Sequence, residues 1–555
     1  MLLVYGPRST TYDFGPSHPL TPRRFGPAID LLEAVGAVPG LAPEPVADAE
    51  LEACHSPGFL RVVRGFSENP FGLPTAGISE YGDVPPFPGM HDAGSMVAGG
   101  SLRAMEAILR GDVEHAFHPG GGLHHAMRDR ASGFCIYNDV ALAVARARRD
   151  GLRVLYLDFD VHHGDGVQDL FYDDPGVLTF SIHETGRYLF PGTGFADEIG
   201  EGRAAGTAIN VPLQPGTGER AWLDAVRLLV PSLAAAFRPD IVVSQHGADS
   251  HAFDPLAHLR VTTTAMGEAA RIVDAVVHRW AGGRWLATGG GGYDAYRVVP
   301  RSWSLVWLAG AHRDVPSQTP EAWRERWADE AARYGQEPLP ETFDDPPNAG
   351  FSFDASQQAA EELSRETARA VSAALVPALV REAIDRGWWD PVDGSDPPDA
   401  PVPAGAPTVH ARLDSDLRFA VGVAPLPFTS LRTRPGDRFS MTAAIVQDVV
   451  VGAVASAASA TSPGRQILAV GVTPEHRGHG LATAMLRAHV DSFRSGDEPL
   501  FTTITVAERD WVDPLEPSLR ASLARRLFEG AGFAVRPASG SIRAIDPLAL
   551  EATLE

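Results

Sequence analysis

The chain has 555 residues, too many for one ordinary hydrophobic core, so two or more domains are expected. Its 47 Lys and Arg against 70 Asp and Glu leave a formal charge of −23, which argues against a nucleic-acid surface and for attraction of basic protein segments. Only two cysteines, Cys54 and Cys135, exclude a disulfide framework or a cysteine-rich zinc site. The opening "MLLVYGPRSTTYDFGP" is too short in apolar residues for a secretory signal, and no run of ~20 apolar residues suggests a membrane span, so a cytoplasmic protein is expected.

In chain order, "HPGGGLHHAMRDRASGFC" comes first, with His118 and the tandem His124 and His125 beside glycines. Neighbouring side chains should project in different directions, so the tandem pair suits acid/base work better than joint ligation of one metal. "RVLYLDFD" then reads as a buried strand running into "VHHGDG". If the extended chain continues, Asp158, Asp160 and His162 share a face. Asp160 and His162 are candidate ligands of a divalent cation, and Asp249 in "DIVVSQHGAD" is a candidate third. Such a set leaves positions for water and substrate.

Further apolar runs are "VLTFSIH" and "RWLATGGGGYD", with "TTTAMGEAARIVDAVVHRW" repeating its apolar positions at helical spacing. Strands alternating with helices predict a parallel α/β sheet covered on both faces, with ligands bound beyond the carboxyl ends of the strands. Four glycines before Tyr293 permit close backbone approach, and the tyrosine hydroxyl could polarise a carbonyl oxygen. No G-K-[ST] follows, against a phosphate cradle.

Residues 390–407, "DPVDGSDPPDAPVPAGAP", read as a linker between a domain at 1–389 and a second at 408–555. The second carries strands in "DVVVGAVAS", "QILAVGV" and "LFTTITV", and helices in "LATAMLRAHVDSF" and "LRASLARRLFEGAG".

Taken in order, "YDFGPSHPLTP", "GGLHHAM", "ASGFCIYND", "YLDFDVHHGDG", "FSIHETGRYLFPGTG", "HGADSHAFDPL" and "GGGGYD" resemble the metal-dependent histone-deacetylase superfamily, and "HETGRYLFPGTG" its bacterial acetoin-utilisation branch. The resemblance implies an arginase/deacetylase-like α/β fold, a parallel sheet flanked by helices, that hydrolyses an acetylated amine. It puts Zn2+, or Fe2+, on Asp160, His162 and Asp249. It makes His125 the general base and later acid, and His124 its electrostatic partner. Asp158 and Asp165 orient the pair, and Tyr293 stabilises the oxyanion. It further implies substrate contacts at Asp83, Gly133, Phe134 and Phe190. A structural K+ would lie on Asp158, Ser181 and the main chain of Asp160, His162 and Ile182. Two-metal arginases use D-x-H-x-D, whereas Gly164 holds the last place here, which favours a single metal.

"ILAVGVTPEHRGHGLATAMLRAHV" contains Arg477, Gly480 and Ala482 in an R-x-x-G-x-[GA] pattern between a strand and a helix, a cradle for a pyrophosphate. With "RRLFEGAGFAVR" it is similar to the acetyl-CoA loop and closing segment of the GNAT acyltransferases, an α+β fold. That likeness puts acetyl-CoA on Val470, Val472, Arg477, Gly478, His479, Gly480, Leu481 and Ala482. It assigns no catalytic base. The expectation is a cytoplasmic deacetylase acting on acetylated proteins, acetyl-CoA synthetase among them, fused to an N-acetyltransferase, with no nucleic-acid or membrane partner. The alternatives are hydrolysis of an acetylpolyamine or other small amide, and a C-terminal domain that senses acetyl-CoA without catalysis.

Overall fold

The computed structural model describes residues 1–346 and 355–386 and, beyond them, the strands, helices and adjoining turn named below; the linker at 390–407 lies outside the described residues. The chain divides into two compact units, one of residues 1–230 and 237–371 and the other of residues 231–236 and 372–555.

The first unit is built on eight parallel strands: β1 (Leu2–Val4), β2 (Pro39–Leu41), β3 (His115–His118), β4 (Val154–Asp158), β5 (Val177–Glu184), β6 (Ala208–Leu213), β7 (Ile241–Gln245) and β8 (Trp285–Thr288). Their spatial order is β2-β1-β3-β8-β7-β4-β5-β6. Every residue of β3, β4, β5, β7 and β8 is buried. A parallel sheet covered on both faces requires this, and it explains why these strands read as unbroken apolar runs rather than alternating ones. The crossovers are amphipathic helices such as Thr263–Trp280, whose N-cap Thr262 accepts a hydrogen bond from the Ala265 amide, and Asp139–Arg149, capped by Asn138. The four strands and the helix expected in this unit all form.

In the second unit, described by itself, β9 (Thr408–Leu413), β10 (Phe439–Val446), β11 (Val449–Ala458) and β12 (Arg465–Val472) run antiparallel. β13 (Leu500–Ile504) lies parallel to β12, and β14 (Ala534–Pro537) and β15 (Leu550–Leu554) close the order β14-β15-β13-β12-β11-β10-β9. Helices Leu481–Asp491 and Pro517–Gly530 supply Met485, Leu486, Val490 and Phe528 to its core.

Among the described residues no helix is long and apolar enough to cross a membrane.

Candidate active site

The carboxyl ends of β3, β4, β5, β7 and β8 point the same way, and the segment leaving each delivers a site residue. His124 and His125 follow β3, Asp160 and His162 follow β4, Phe190 follows β5, Asp249 follows β7 and Tyr293 follows β8. β4 itself stops at Asp158, so His162 is presented from the bend beyond the strand. His124, His125, Gly133, Phe134, Asp160, His162 and Tyr293 line one pocket.

Asp160, His162 and Asp249 are all buried, with one donor atom each inside a cluster able to hold a metal ion. His162 Nδ1 lies 3.0 Å from Asp160 Oδ1 and 3.2 Å from Asp249 Oδ2. Burial and the neighbouring Asp160 charge push the Asp249 carboxyl up, to about 6. An imidazolium would balance only one of two carboxylates that are 1% exposed or less, so the set fits a divalent cation. The donors are oriented from behind. Asp160 Oδ2 accepts from Gln245 Nε2 at 2.6 Å and the Gly291 amide at 2.8 Å, and Asp249 Oδ1 accepts from the Val161 amide at 3.0 Å.

His124 and His125 do not diverge as neighbouring side chains were expected to. Their rings are 4.0 Å apart, and the two Nε2 atoms approach to 3.0 Å. The loop that carries them is gripped along its backbone, which explains the convergence. Asp139 accepts from the Leu123 amide at 2.7 Å and the Gly122 amide at 3.1 Å, and Asn138 Nδ2 donates to the carbonyls of His124 and Ala126, each at 3.1 Å. Each ring then meets its own carboxylate: His124 Nδ1 donates to Asp158 at 2.8 Å and His125 Nδ1 to Asp165 at 2.6 Å.

Burial disfavours the charged form of both rings, but the outcomes differ. The Asp158 and Asp160 carboxylates overcome burial at His124 and raise it to about 9, whereas burial and the charge of His124 hold His125 down at about 4. A cation on Asp160 would weaken that carboxylate's pull on His124 while leaving Asp158 in place. A tandem pair driven apart in this way is suited to one fixed charge and one proton acceptor.

Gly164 sits against this network. A Cβ there would lie 2.2 Å from Asp158 Oδ2, so the position that separates this sequence from D-x-H-x-D also leaves room for the His124–Asp158 contact. Gly133 has φ +49°, and a Cβ on it would come within 2.4 Å of the His125 ring and 2.8 Å of the Phe190 ring.

Tyr293 is anchored by its backbone, its amide donating to Asp254 at 2.9 Å and its carbonyl accepting from Gln336 at 3.2 Å. Burial, with the Asp249 and Asp160 charges, keeps its hydroxyl protonated. Its ring meets Phe134 edge-on at 5.9 Å, while Phe190, exposed and outside the pocket lining, lies 5.0 Å from the His125 ring. Asp83 is exposed outside that lining, its main-chain carbonyl accepting from His18 at 3.3 Å; His18 in turn packs 4.5 Å from Phe134. β4 and β5 pair Asp158 with Ser181, and Ser181 Oγ bonds His183 Nδ1 at 2.8 Å.

Several partners escape sequence reading. Arg24, 4% exposed, donates to the Gly290 carbonyl at 2.7 Å and braces the glycine turn before Tyr293. Tyr12 Oη donates to the Phe134 carbonyl at 2.7 Å and accepts from the Ile136 amide at 2.9 Å. Asn138 alone carried a local signal, a capping side chain before an apolar helical run.

In the second unit, Val470 and Val472 lie on β12, and Leu481 and Ala482 open the helix Leu481–Asp491. Arg477, Gly478, His479 and Gly480 lie outside the described residues.

A parallel sheet whose strand ends gather two carboxylates, an imidazole, a carboxylate-held histidine pair and a tyrosine defines the class of metal-dependent amide hydrolases. Residues 18–309 match the family model "Histone deacetylase domain", and the chain belongs to the histone deacetylase family, as a hydrolase of its deacetylase class. It is 42% identical over 334 residues to the acetoin utilization protein AcuC of Bacillus subtilis, covering 59% of this chain and 86% of the relative. With the protein of the same name from Staphylococcus aureus strain MSSA476 it shares 37% over 354 residues, covering 62% and 89%. A histone deacetylase homologue from Aquifex aeolicus superposes with TM-score 0.57 at 27% identity, covering 66% of this chain and 99% of that one. A homologue solved with SAHA gives TM-score 0.56 at 28% identity, with the same coverage.

Proposed function

We propose that the chain removes acetyl groups from lysine side chains of proteins, using Asp160, His162 and Asp249 as metal ligands and His125 as the group that moves the proton. The observation that carries this reading is the histidine pair beside the ligand cluster, His124 held by Asp158, His125 held by Asp165, and the His125 ring 5.9 Å from that of His162. A divalent cation, Zn2+ or Fe2+, would supply Lewis acidity to the acetyl carbonyl and to the attacking water.

The remaining steps belong to the chain's own residues. Asp165 holds the Nδ1 proton of His125, which leaves Nε2, the nitrogen that faces His124 Nε2 at 3.0 Å, to exchange that contact for the water, take its proton and later give it to the departing lysine amine. His124, kept cationic by Asp158, favours negative charge building in the pocket. The Tyr293 hydroxyl donates to the acetyl oxygen as that charge develops. Phe134 and Phe190 flank the lysine methylenes above Gly133, and Asp83 grips the substrate backbone. Asp158, Ser181 and the main chain of Asp160, His162 and Ile182 would hold K+, which would stiffen the end of β4.

The second unit, residues 408–555 in this reading, binds acetyl-CoA and attaches acetyl groups, making the protein a cytoplasmic writer and eraser with acetyl-CoA synthetase among its clients. What supports this is the order of elements: Val470 and Val472 lie at the carboxyl end of β12, which runs between β11 and β13, and the helix Leu481–Asp491 follows.

The experiment is acetate release by metal-loaded protein from acetylated acetyl-CoA synthetase beside an acetylpolyamine at equal concentration, with acetyl-CoA binding followed by calorimetry. Preference for the protein, and acetyl-CoA binding lost in Arg477→Ala, is expected. Preference for the polyamine would move the enzyme to small amides. Binding without any acetyl transfer would make the second unit a sensor.

A further inference from the structure

At the amino-terminal end of β3, away from the pocket, lies a second convergence of ligating side chains. His115 begins the strand, Asp274 and His278 stand one turn apart on the helix Thr263–Trp280, and His312 follows the helix Val299–Gly310. A ring nitrogen from each histidine and a carboxylate oxygen of Asp274 all lie within 4.8 Å of one another. We propose that these four residues form a second metal site, which takes a borderline divalent transition metal such as Zn2+ and ties the two helices to the strand.

The distances suit coordination. Metal–donor bonds of about 2.0–2.1 Å in a tetrahedron put donors about 3.3–3.4 Å apart. His278 Nε2 and His312 Nε2 are 3.0 Å apart, and they lie 3.5 and 3.1 Å from Asp274 Oδ1. A small expansion of this triangle makes room for an ion, with the His115 ring closing the fourth side, 5.0 Å from the His278 ring and 5.3 Å from the His312 ring.

The tautomer of His115 is set by its neighbour. Nδ1 lies 2.7 Å from the Gly310 carbonyl, which can only accept, and 3.9 Å from Asp274 Oδ1, so Nδ1 carries the proton and Nε2 keeps the lone pair. That Nε2 is buried and has no hydrogen-bond partner, an arrangement that costs stability unless something uses the lone pair. A histidine that donates one nitrogen to a carbonyl and offers the other is the usual form of a metal-ligating imidazole.

His312 adds a further sign. It has φ +53°, in the left-handed region where a helix end ordinarily takes glycine, and its ring is turned to Asp274 and His278. Access is open from its side: the His312 side chain is 53% exposed, against 3% for His115, so an ion entering from solvent meets His312 first, then the half-buried Asp274 and His278, and His115 in the core. Three imidazoles and one carboxylate favour zinc, nickel or copper over magnesium or calcium.

The test uses tag-free, full-length protein dialysed against Zn2+, with metal per chain measured by elemental mass spectrometry. Wild type is expected to hold one more equivalent than His278→Ala/His312→Ala, and acetate release should be the same in both. Because Asp160→Asn empties the other cluster, it should keep one equivalent, and adding His312→Gln should remove it. His312 is a surface residue, so His312→Gln alone is the variant to use if the double variant does not fold, with Zn2+ binding weakened about tenfold or more. Equal stoichiometry and equal Zn2+ affinity in wild type and His312→Gln would overturn the proposal.

Discussion

His124 and His125 are adjacent copies of one side chain, and what each ring touches separates them. Asp158 and Asp160 raise the first, while burial and the first ring's charge lower the second. The roles proposed for this pair and for Tyr293 make sharp predictions about single residues. Tyr293→Phe keeps the ring against Phe134 but removes the donor, so acetate release should fall about a hundredfold or more with metal content unchanged. Full activity in that variant would remove Tyr293 from the chemistry. Gly164→Ala would drive a methyl into Asp158, displacing its contact with His124; a misplacement of that size can cost about a hundredfold in rate, read as a fall in kcat. An unchanged kcat would mean that the His124–Asp158 contact does not matter.

Among the elements, the strand ends were legible because a doubly covered parallel strand is a continuous apolar run, and polar residues clustered where each run stops. β4, β5, β7 and β8 fall where "RVLYLDFD", "VLTFSIH", "DIVVSQHGAD" and "RWLATGGGGYD" placed them, and β11, β12 and β13 do so in the second unit. What stayed hidden is non-local. The bonds from Arg24 to Gly290 and from Gln245 to Asp160 join positions 266 and 85 residues apart, and nothing in either residue's neighbourhood announces them. The convergence of His124 and His125 was hidden for the same reason, since Asp139 and Asn138 impose it from the next helix. Asn138 therefore offers a test at this level. Asn138→Ala removes a helix cap worth about 1 kcal/mol and two hydrogen bonds worth about 1 kcal/mol each, so unfolding free energy should drop by about 2–3 kcal/mol. Because those bonds hold the histidine loop, kcat should fall as well. Lower stability with unchanged kcat would leave the loop positioned by Asp139 alone.

For the whole molecule, the buried histidines set a pH limit on folding. Burial lowers His55 to about 4 and His118, His183 and His246 to about 3, each far from the ordinary 6.5. The contacts agree: His55 Nδ1 donates to the Met127 carbonyl while Nε2 accepts from the Asn138 amide, so a second proton would break a bond. Such a ring binds fewer protons folded than unfolded. The contribution of these four rings is therefore full above about pH 6.5 and declines as pH falls toward 4, opposite in sign to that of the raised His124. Denaturant midpoints at pH 7.5 and pH 5 should differ in that direction; equal midpoints would mean these rings protonate without unfolding.

The central claim, a metal-dependent deacetylase built on Asp160, His162 and Asp249, is tested most directly by acetate release from an acetyl-lysine peptide. Chelated protein should be inactive and regain activity with Zn2+ or Fe2+, while Asp160→Asn should stay inactive under the same reconstitution. Activity that survives chelation, or that returns in Asp160→Asn with added metal, would contradict the account.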